Sequence, residues 1–231
     1  MRRKQIHSMV LENMSFGFER AGLLFENISI ELPKSRAIWV RSPGGRGKST
    51  LLRLLAGLMS PTDGRYLING EDVGQMSFED FLPYRLSMGY GFDMGGLINN
   101  MTIFENLALP LRYHKFIDES EIAERIEQVV EIFGMGQSRG SRPFAVSGSQ
   151  RKLTCVIRAF IHWPQVVFLD DAMTGLKEDN LNDLIYFVEE AFATRGLKHV
   201  FFTSESPVLA DRLKAEELLI SGDWFTTRAG A

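Results

Sequence analysis

Hydrophobic and polar positions alternate first with the period of strands and then with the period of helices. Leu24 to Leu32 alternates around Phe25, Ile28 and Ile30 and closes at Pro33, so the first 35 or so residues read as strands. Ala37-Ile38-Trp39-Val40 is a short apolar run of the buried-strand kind. A glycine-rich turn, Ser42 to Gly47, follows it, and Lys48 to Leu58 then takes helical spacing through Leu51, Leu52, Leu54 and Leu55. Pro61 and Gly64 break the chain before a strand at Tyr66-Leu67-Ile68. The stretch from about 75 to 160 is mostly helical, with helices predicted over 102–113, 118–134 and 148–163 and a strand from Leu86 to Phe92 ahead of them. Val166 to Leu169 is another buried strand, ending at Asp170-Asp171. A helix over 178–193, a strand over 199–203, a short helix from Pro207 to Leu213 and a hairpin from Leu218 to Thr227 around Gly222 complete the pattern. Strands alternating with helices predict an α/β fold with a largely parallel sheet, whose ligands sit at the carboxyl ends of its strands.

Length and composition narrow this picture. The 231 residues fit one large α/β domain, or one domain with a subdomain, and 45% of them are apolar, enough for a substantial core. With 26 basic and 29 acidic residues the net charge is −3, so there is no basic excess of the kind that marks nucleic-acid binding. Cys155 is the single cysteine, which rules out an internal disulfide and fits a reducing compartment. No apolar run approaches the ~18–20 residues that cross a bilayer, and the basic start Met1-Arg2-Arg3-Lys4 has no apolar signal core after it. If a membrane is involved, another chain is expected to supply the spans. His7, His114, His162 and His199 lack metal-ligand spacing.

The candidate chemistry begins in the turn after the second buried strand. Ser42-Pro43-Gly44-Gly45-Arg46-Gly47-Lys48-Ser49-Thr50 lies between a strand and a helix, where glycines let the backbone fold around phosphate oxygens. The helix start adds unpaired N–H groups and a positive dipole end. Lys48 is placed to reach the β- and γ-phosphates and Ser49 to ligate Mg²⁺. The full pattern has glycine where this chain has Ser42. Arg46 could touch phosphate, meet an opposing helix, or stand as a solvated loop charge. Asp170 ends an apolar strand, where a carboxylate can hold the water shell of a metal, and Asp171 follows where a base for an attacking water would stand. Alone, an acid at a strand end is ordinary; the phosphate loop upstream gives this one its interest. Val146-Ser147-Gly148-Ser149-Gln150 opens a helix with Ser147 as its N-cap, about 20 residues before Asp170.

The order of phosphate loop, Ser147-Gly148 and Asp170-Asp171 resembles the ATP-binding cassette (ABC) ATPases over essentially the whole chain. Phe18 matches the aromatic that stacks on adenine, and Gly89 to Asp93 matches the family's glutamine-loop strand. Met101 to Leu107 matches the helix start after it, Thr174 to Lys177 the dimer-contact loop, and Thr203-Ser204 the switch-histidine position. The resemblance implies a phosphate-loop NTPase core with an N-terminal antiparallel β-subdomain over 1–92 and 164–231, and a helical subdomain with the signature helix over about 93–163. It implies ATP and Mg²⁺ as cofactors, a membrane permease and a second ABC ATPase subunit as partners, no nucleic acid, and a place on the cytoplasmic face of the cell membrane. Phe18, Ser42, Gly44, Gly45, Arg46, Gly47, Lys48, Ser49, Thr50, Ser147 and Gly148 would bind nucleotide; Ser49, Asp170 and Asp93 would serve the metal; Asp171, Asp93 and Ser204 would serve catalysis. Asp93 to Ile98 and Asn106 to Leu111 look like the branch that moves phospholipid in the Mla and Mce systems.

The departures from the family pattern cluster in the catalytic groups. Asp93 stands for the loop glutamine, Asp171 for the catalytic glutamate, Ser204 for the switch histidine, Lys177 for the dimer-loop aspartate and Ser149 for the second signature glycine. Aspartate is one methylene shorter than glutamate, and a misplacement of order 1 Å can cost ~100-fold in rate. The expectation is therefore binding with attenuated turnover. The alternative is a nucleotide-binding structural or regulatory half of an asymmetric ATPase pair. Met94, Leu97, Ile98, Met101, Ile103 and Phe104 form an apolar stretch expected either to receive the permease or to join the core.

Overall fold

Two sheets share the chain. In the computed structural model, which describes residues 3–19, 22–93, 96–115 and 117–228, the strands in chain order are β1 (Met9–Phe18), β2 (Gly22–Glu31), β3 (Ala37–Arg41), β4 (Asp63–Ile68), β5 (Glu71–Asp72), β6 (Met88–Gly91), β7 (Val166–Leu169), β8 (His199–Phe202), β9 (Glu216–Ile220) and β10 (Phe225–Arg228). The helices are α1 (Lys48–Leu55), α2 (Phe78–Arg85), α3 (Ile103–His114), α4 (Glu119–Ile132), α5 (Gly148–Phe160), α6 (Glu178–Thr194) and α7 (Val208–Leu213). An antiparallel sheet has the order β2-β1-β4-β5. A six-stranded sheet has the order β10-β9-β3-β8-β7-β6 and is parallel except for the β10 hairpin.

The short apolar strands are buried on both faces, and their side chains divide by the period of two. Val166 and Phe168 of β7, with Ile38 and Val40 of β3 and Phe201 of β8, enter one core with α1 and the antiparallel sheet. Val167, Leu169, Val200 and Phe202 enter a second core with α3 to α7. Each fully buried side chain of this size stabilises the fold by about 1.5–3 kcal/mol. β6 lies so close to α5 that a Cβ on Gly89 would stand 1.9 Å from the carbonyl oxygen of Ala159, so only glycine lets this edge strand seat on the helix.

The boundaries differ from the sequence pattern in instructive places. The expected strand from Leu86 begins only at Met88, because Leu86 donates its N–H to Leu82 and closes α2, a helix the apolar pattern does not single out. The helix expected to reach 163 ends at Phe160, because the chain turns before Pro164 with Trp163 at φ +53°. No helix among the described residues is long and apolar enough to cross a membrane.

The sheet register sets the site. Leu169 is paired with Gly91 and with Phe202, and Phe202 with Trp39, so β6, β7 and β8 end in line and β3 runs on past them to Arg41. The residues that follow them, Ser42 onward, Phe92-Asp93, Asp170-Asp171 and Thr203-Ser204, therefore leave one edge of the parallel sheet together.

Candidate functional site

The phosphate loop folds as its glycines require. Gly45 and Gly47 have φ of +68° and +86°, and Gly47 is the N-cap of α1. A Cβ at Gly47 would also stand 2.7 Å from the Phe25 ring, so glycine is needed there for both conformation and space. Leu51, Leu52, Leu54 and Leu55 bury the inner face of α1 and fix its first turn at the sheet edge. The side chains of Lys48 and Ser49 thus arrive on a rigid base, with Thr50 buried behind them.

Ser49 meets the acid at the end of β7. Its hydroxyl donates to Asp170 Oδ1 at 2.8 Å, and the Thr203 hydroxyl donates to the same oxygen at 3.2 Å. The Tyr90 hydroxyl lies 3.5 Å from Asp170 Oδ2, and an Arg53 nitrogen lies 4.0 Å from that oxygen. Burial, and then the charge of Asp170, push the Tyr90 phenol far above its ordinary value, so it stays a neutral donor. Asp170 itself is buried. A buried carboxylate ringed by donors and opened toward a phosphate loop is suited to a hard cation that brings its own oxygen ligands.

Asp171 follows with φ of +48°, and its N–H donates to the Thr203 hydroxyl at 2.7 Å. The backbone that aims its carboxylate is thus held in the left-handed region. Asp93 is tied down from another side. The ammonium of Lys152, on α5 and only 7% exposed, donates to the Asp93 carbonyl at 2.9 Å, Asp93 Oδ1 at 3.3 Å and the Asp170 carbonyl at 3.4 Å. One carboxylate oxygen of Asp93 is therefore engaged with Lys152 rather than with Asp170.

Ser204 is placed differently from a phosphate-facing switch. Its hydroxyl donates to the Ser206 carbonyl at 2.9 Å and accepts the Ser206 N–H at 3.1 Å, so it closes its own turn. The next residue, Glu205, forms an ion pair with Lys48. Lys152, Glu205 and Arg53 were not legible as site residues in the sequence: one lies among helix positions, one in a loop, and one in a polar gap of an amphipathic helix.

Ser147 caps α5 reciprocally with Gln150, accepting the Gln150 N–H at 3.2 Å while Gln150 Oε1 accepts the Ser147 N–H at 3.1 Å. The Ser149 hydroxyl donates to Asn180 on α6 at 3.0 Å. Gly148 lines a groove of about 430 Å³ with Asp93, Leu97, Lys152, Thr174 and Gly175. A second hollow, about 270 Å³, lies beside the phosphate loop against Ser42, Gly44, Arg46, Leu23, Phe25 and Gly222, and shares no lining residue with the first. Phe18, half exposed at the end of β1, pairs with Gly22 just before that hollow and packs edge-on against Phe16 with centroids 5.1 Å apart. Within one chain, then, Ser42, Gly44 and Arg46 line one opening and Gly148 another.

The apolar stretch after Asp93 divides. Met94 lies outside the described residues. Ile103 is core, and Phe104 packs against the helical core. Leu97 faces the Gly148 groove. The amide of Asn106 donates to the carbonyls of Ile98, Met101 and Thr102, and its oxygen accepts the Ile98 N–H at 2.8 Å, pinning this loop onto α3.

A family model described as ABC transporter matches residues 25–174. The methionine import ATP-binding protein MetN of Histophilus somni is 28% identical over 202 residues, 86% of this chain and 58% of that protein. MetN of Photorhabdus laumondii is 30% identical over 196 residues, covering 85% and 57%. The protein named "Probable ribonucleotide transport ATP-binding protein mkl" of Mycobacterium leprae is 32% identical over 162 residues, covering 70% and 46%. The chain spans about half the length of these curated relatives. A dimeric ATP-binding cassette in a post-hydrolysis state with ADP and Pi has the same fold, with TM-score 0.81 at 19% identity over 96% of this chain and 99% of that one. A dimeric bacterial ABC transporter cassette aligns with TM-score 0.82 at 20% identity, over the same shares. With the family match running from β2 through the phosphate loop and the strand-end carboxylates to Thr174, this chain belongs to the ABC transporter family.

Proposed function

We propose that the chain is the ATP-binding subunit of a membrane transporter, taking Mg-ATP at the phosphate loop, hydrolysing it slowly and working against a membrane-embedded partner. The observation that carries this reading is the convergence of Lys48, Ser49 and Asp170, with the 2.8 Å bond between the Ser49 hydroxyl and Asp170 as its centre. Magnesium suits this donor set. Ser49 and Asp170 would hold it with two hard oxygens, and phosphate oxygens and water would supply the others. Among the described residues, no group of three His, Cys, Asp or Glu could hold a metal, so the ion would come with the nucleotide. When bound, it would neutralise phosphate charge. Lys48 and the loop N–H groups would bind and orient the phosphates, Phe18 would cover the base, and Asp171 would accept the proton of the attacking water. The free carboxylate oxygen of Asp93 is the one left for the metal shell.

The family resemblance adds a second copy or a related ATPase whose Ser147-Gly148 counterpart closes over this phosphate loop, and a permease at the inner face of the membrane. The groove of about 160 Å³ lined by Leu58, Arg85, Leu86, Pro110 and His114 is the surface we assign to the permease. Leu97, which faces the other groove, is assigned to the nucleotide side. Phospholipid is the cargo suggested by residues 93–98 and 106–111, whereas the named relatives move other cargoes; the membrane partner would select it.

A second reading, a nucleotide-binding half without turnover, is favoured by the left-handed backbone at Asp171 and the inward hydroxyl of Ser204. Single-turnover hydrolysis of Mg-ATP by the chain with its partners separates the two. Slow product formation is expected, and Asp171→Glu with Ser204→His should raise it at least ~10-fold, or about 1.4 kcal/mol of barrier. No product from either sequence with ATP bound would leave the second reading standing.

A further inference from the structure

Lys48 is a largely enclosed cation, its side chain 14% exposed, and the structure gives it an anion that the nucleotide does not supply. Glu205 reaches across from the loop after β8 and pairs with Lys48 Nζ, while its own side chain remains 86% exposed. The loop that carries Glu205 is fixed on both sides. The Trp39 indole N–H donates to the Ser204 carbonyl at 3.2 Å, and the Ser204 hydroxyl bonds the backbone of Ser206. The carboxylate is therefore presented to the phosphate loop by a rigid turn and not by a loose tail.

We infer that Glu205 is an affinity-setting residue of this site: its carboxylate occupies on Lys48 the place of a nucleotide phosphate, so that nucleotide binds by exchanging one anion for another. This rests on the proposed nucleotide reading. The exchange has a cost, because the ion pair must open and the freed carboxylate then stands near phosphates of the same sign. It also discriminates among ligands, because only a phosphate chain long enough to reach Lys48 competes with Glu205. ATP and ADP should meet the barrier, and AMP should not. Ser204, which the sequence places at the switch position, takes no part in this contact.

Calorimetric titration of the full chain with ATP, ADP and AMP in the presence of Mg²⁺ tests this, using wild type, Glu205→Gln and Glu205→Ala. Both substitutions should tighten ATP and ADP by about 3-fold or more, with AMP unchanged, and the gain should shrink at high salt as ion pairs are screened. Binding of ATP by the variants alone would mean that the pair closes the wild-type site fully, and would support the inference. Unchanged or weaker ATP affinity in the variants, or an equal gain for AMP, would overturn it. No binding of ATP by any of the three would defeat the nucleotide reading itself, which a measurable wild-type affinity keeps separate from the role of Glu205.

Discussion

Asp171 shows what a single residue can carry and conceal. Its identity suggests a short base, but its backbone at φ +48° and its N–H bond to the Thr203 hydroxyl could not be read from composition or spacing. The residues proposed to bind nucleotide were far more legible. The apolar run of β7 ends directly at Asp170, and that of β3 leads through the glycine-rich turn to Lys48 and Ser49. Ser204 is the opposite case. A hydroxyl can bond its own loop as readily as a ligand, and here it closes a turn onto Ser206. The residue type could not reveal that choice.

At the scale of elements, α5 ties the Gly148 groove to the strand-end acids through one side chain. Its first turn presents Gly148 behind the Ser147 cap, and about one turn further on Lys152 lies under Asp93 and Asp170. The three protons of the ammonium find three acceptors, so the buried charge is fully satisfied. Lys152→Met keeps the length and apolar stem but leaves two carbonyls and the Asp93 carboxylate without their donor. We expect a loss of about 1–3 kcal/mol, read as a lower denaturant midpoint with unchanged slope. An unchanged midpoint would show that the ammonium is replaceable by water. The apolar spacing of α5 predicts the helix but does not single out Lys152. Only the packing of α5 on β6, where Gly89 meets Ala159, turns it inward. For the same reason α2 went unmarked, since its turns interleave charged and aromatic residues without a continuous apolar stripe.

At the scale of the molecule, the alternation of strands and helices did predict the parallel sheet, because burial on both faces forces short apolar strands to announce themselves. Sheet order and the in-line ends of β6, β7 and β8 arise from long-range pairing, which local periodicity does not encode. The same core imposes a pH limit. Burial, and then the charge of Arg3, push His162 down to about 3 from its ordinary 6.5, while its Nε2 lies 2.9 Å from the Met88 carbonyl. The folded chain keeps this imidazole neutral while the unfolded chain protonates it below pH 6.5. The unfolded state then binds more protons, so the contribution is complete above pH 6.5 and is lost as pH falls toward 3. The slope is at most ~1.4 kcal/mol per pH unit, or about 2 kcal/mol between pH 6.5 and 5. Thermal melts over that range should fall more steeply for wild type than for His162→Gln. Parallel melting curves would contradict this assignment.

All three scales converge on the place where the phosphate loop meets β7. If Lys48, Ser49 and Asp170 form a nucleotide site, Mg-ATP must bind there and must depend on Lys48, the cation aimed at its phosphates. The most direct measurement is a calorimetric titration of Mg-ATP into wild type and Lys48→Ala, with circular dichroism showing both folded. Saturable binding to wild type, lost or weakened at least ~10-fold in the variant, is the predicted result, corresponding to about 1.4 kcal/mol or more. Equal affinity in the two chains would contradict the account.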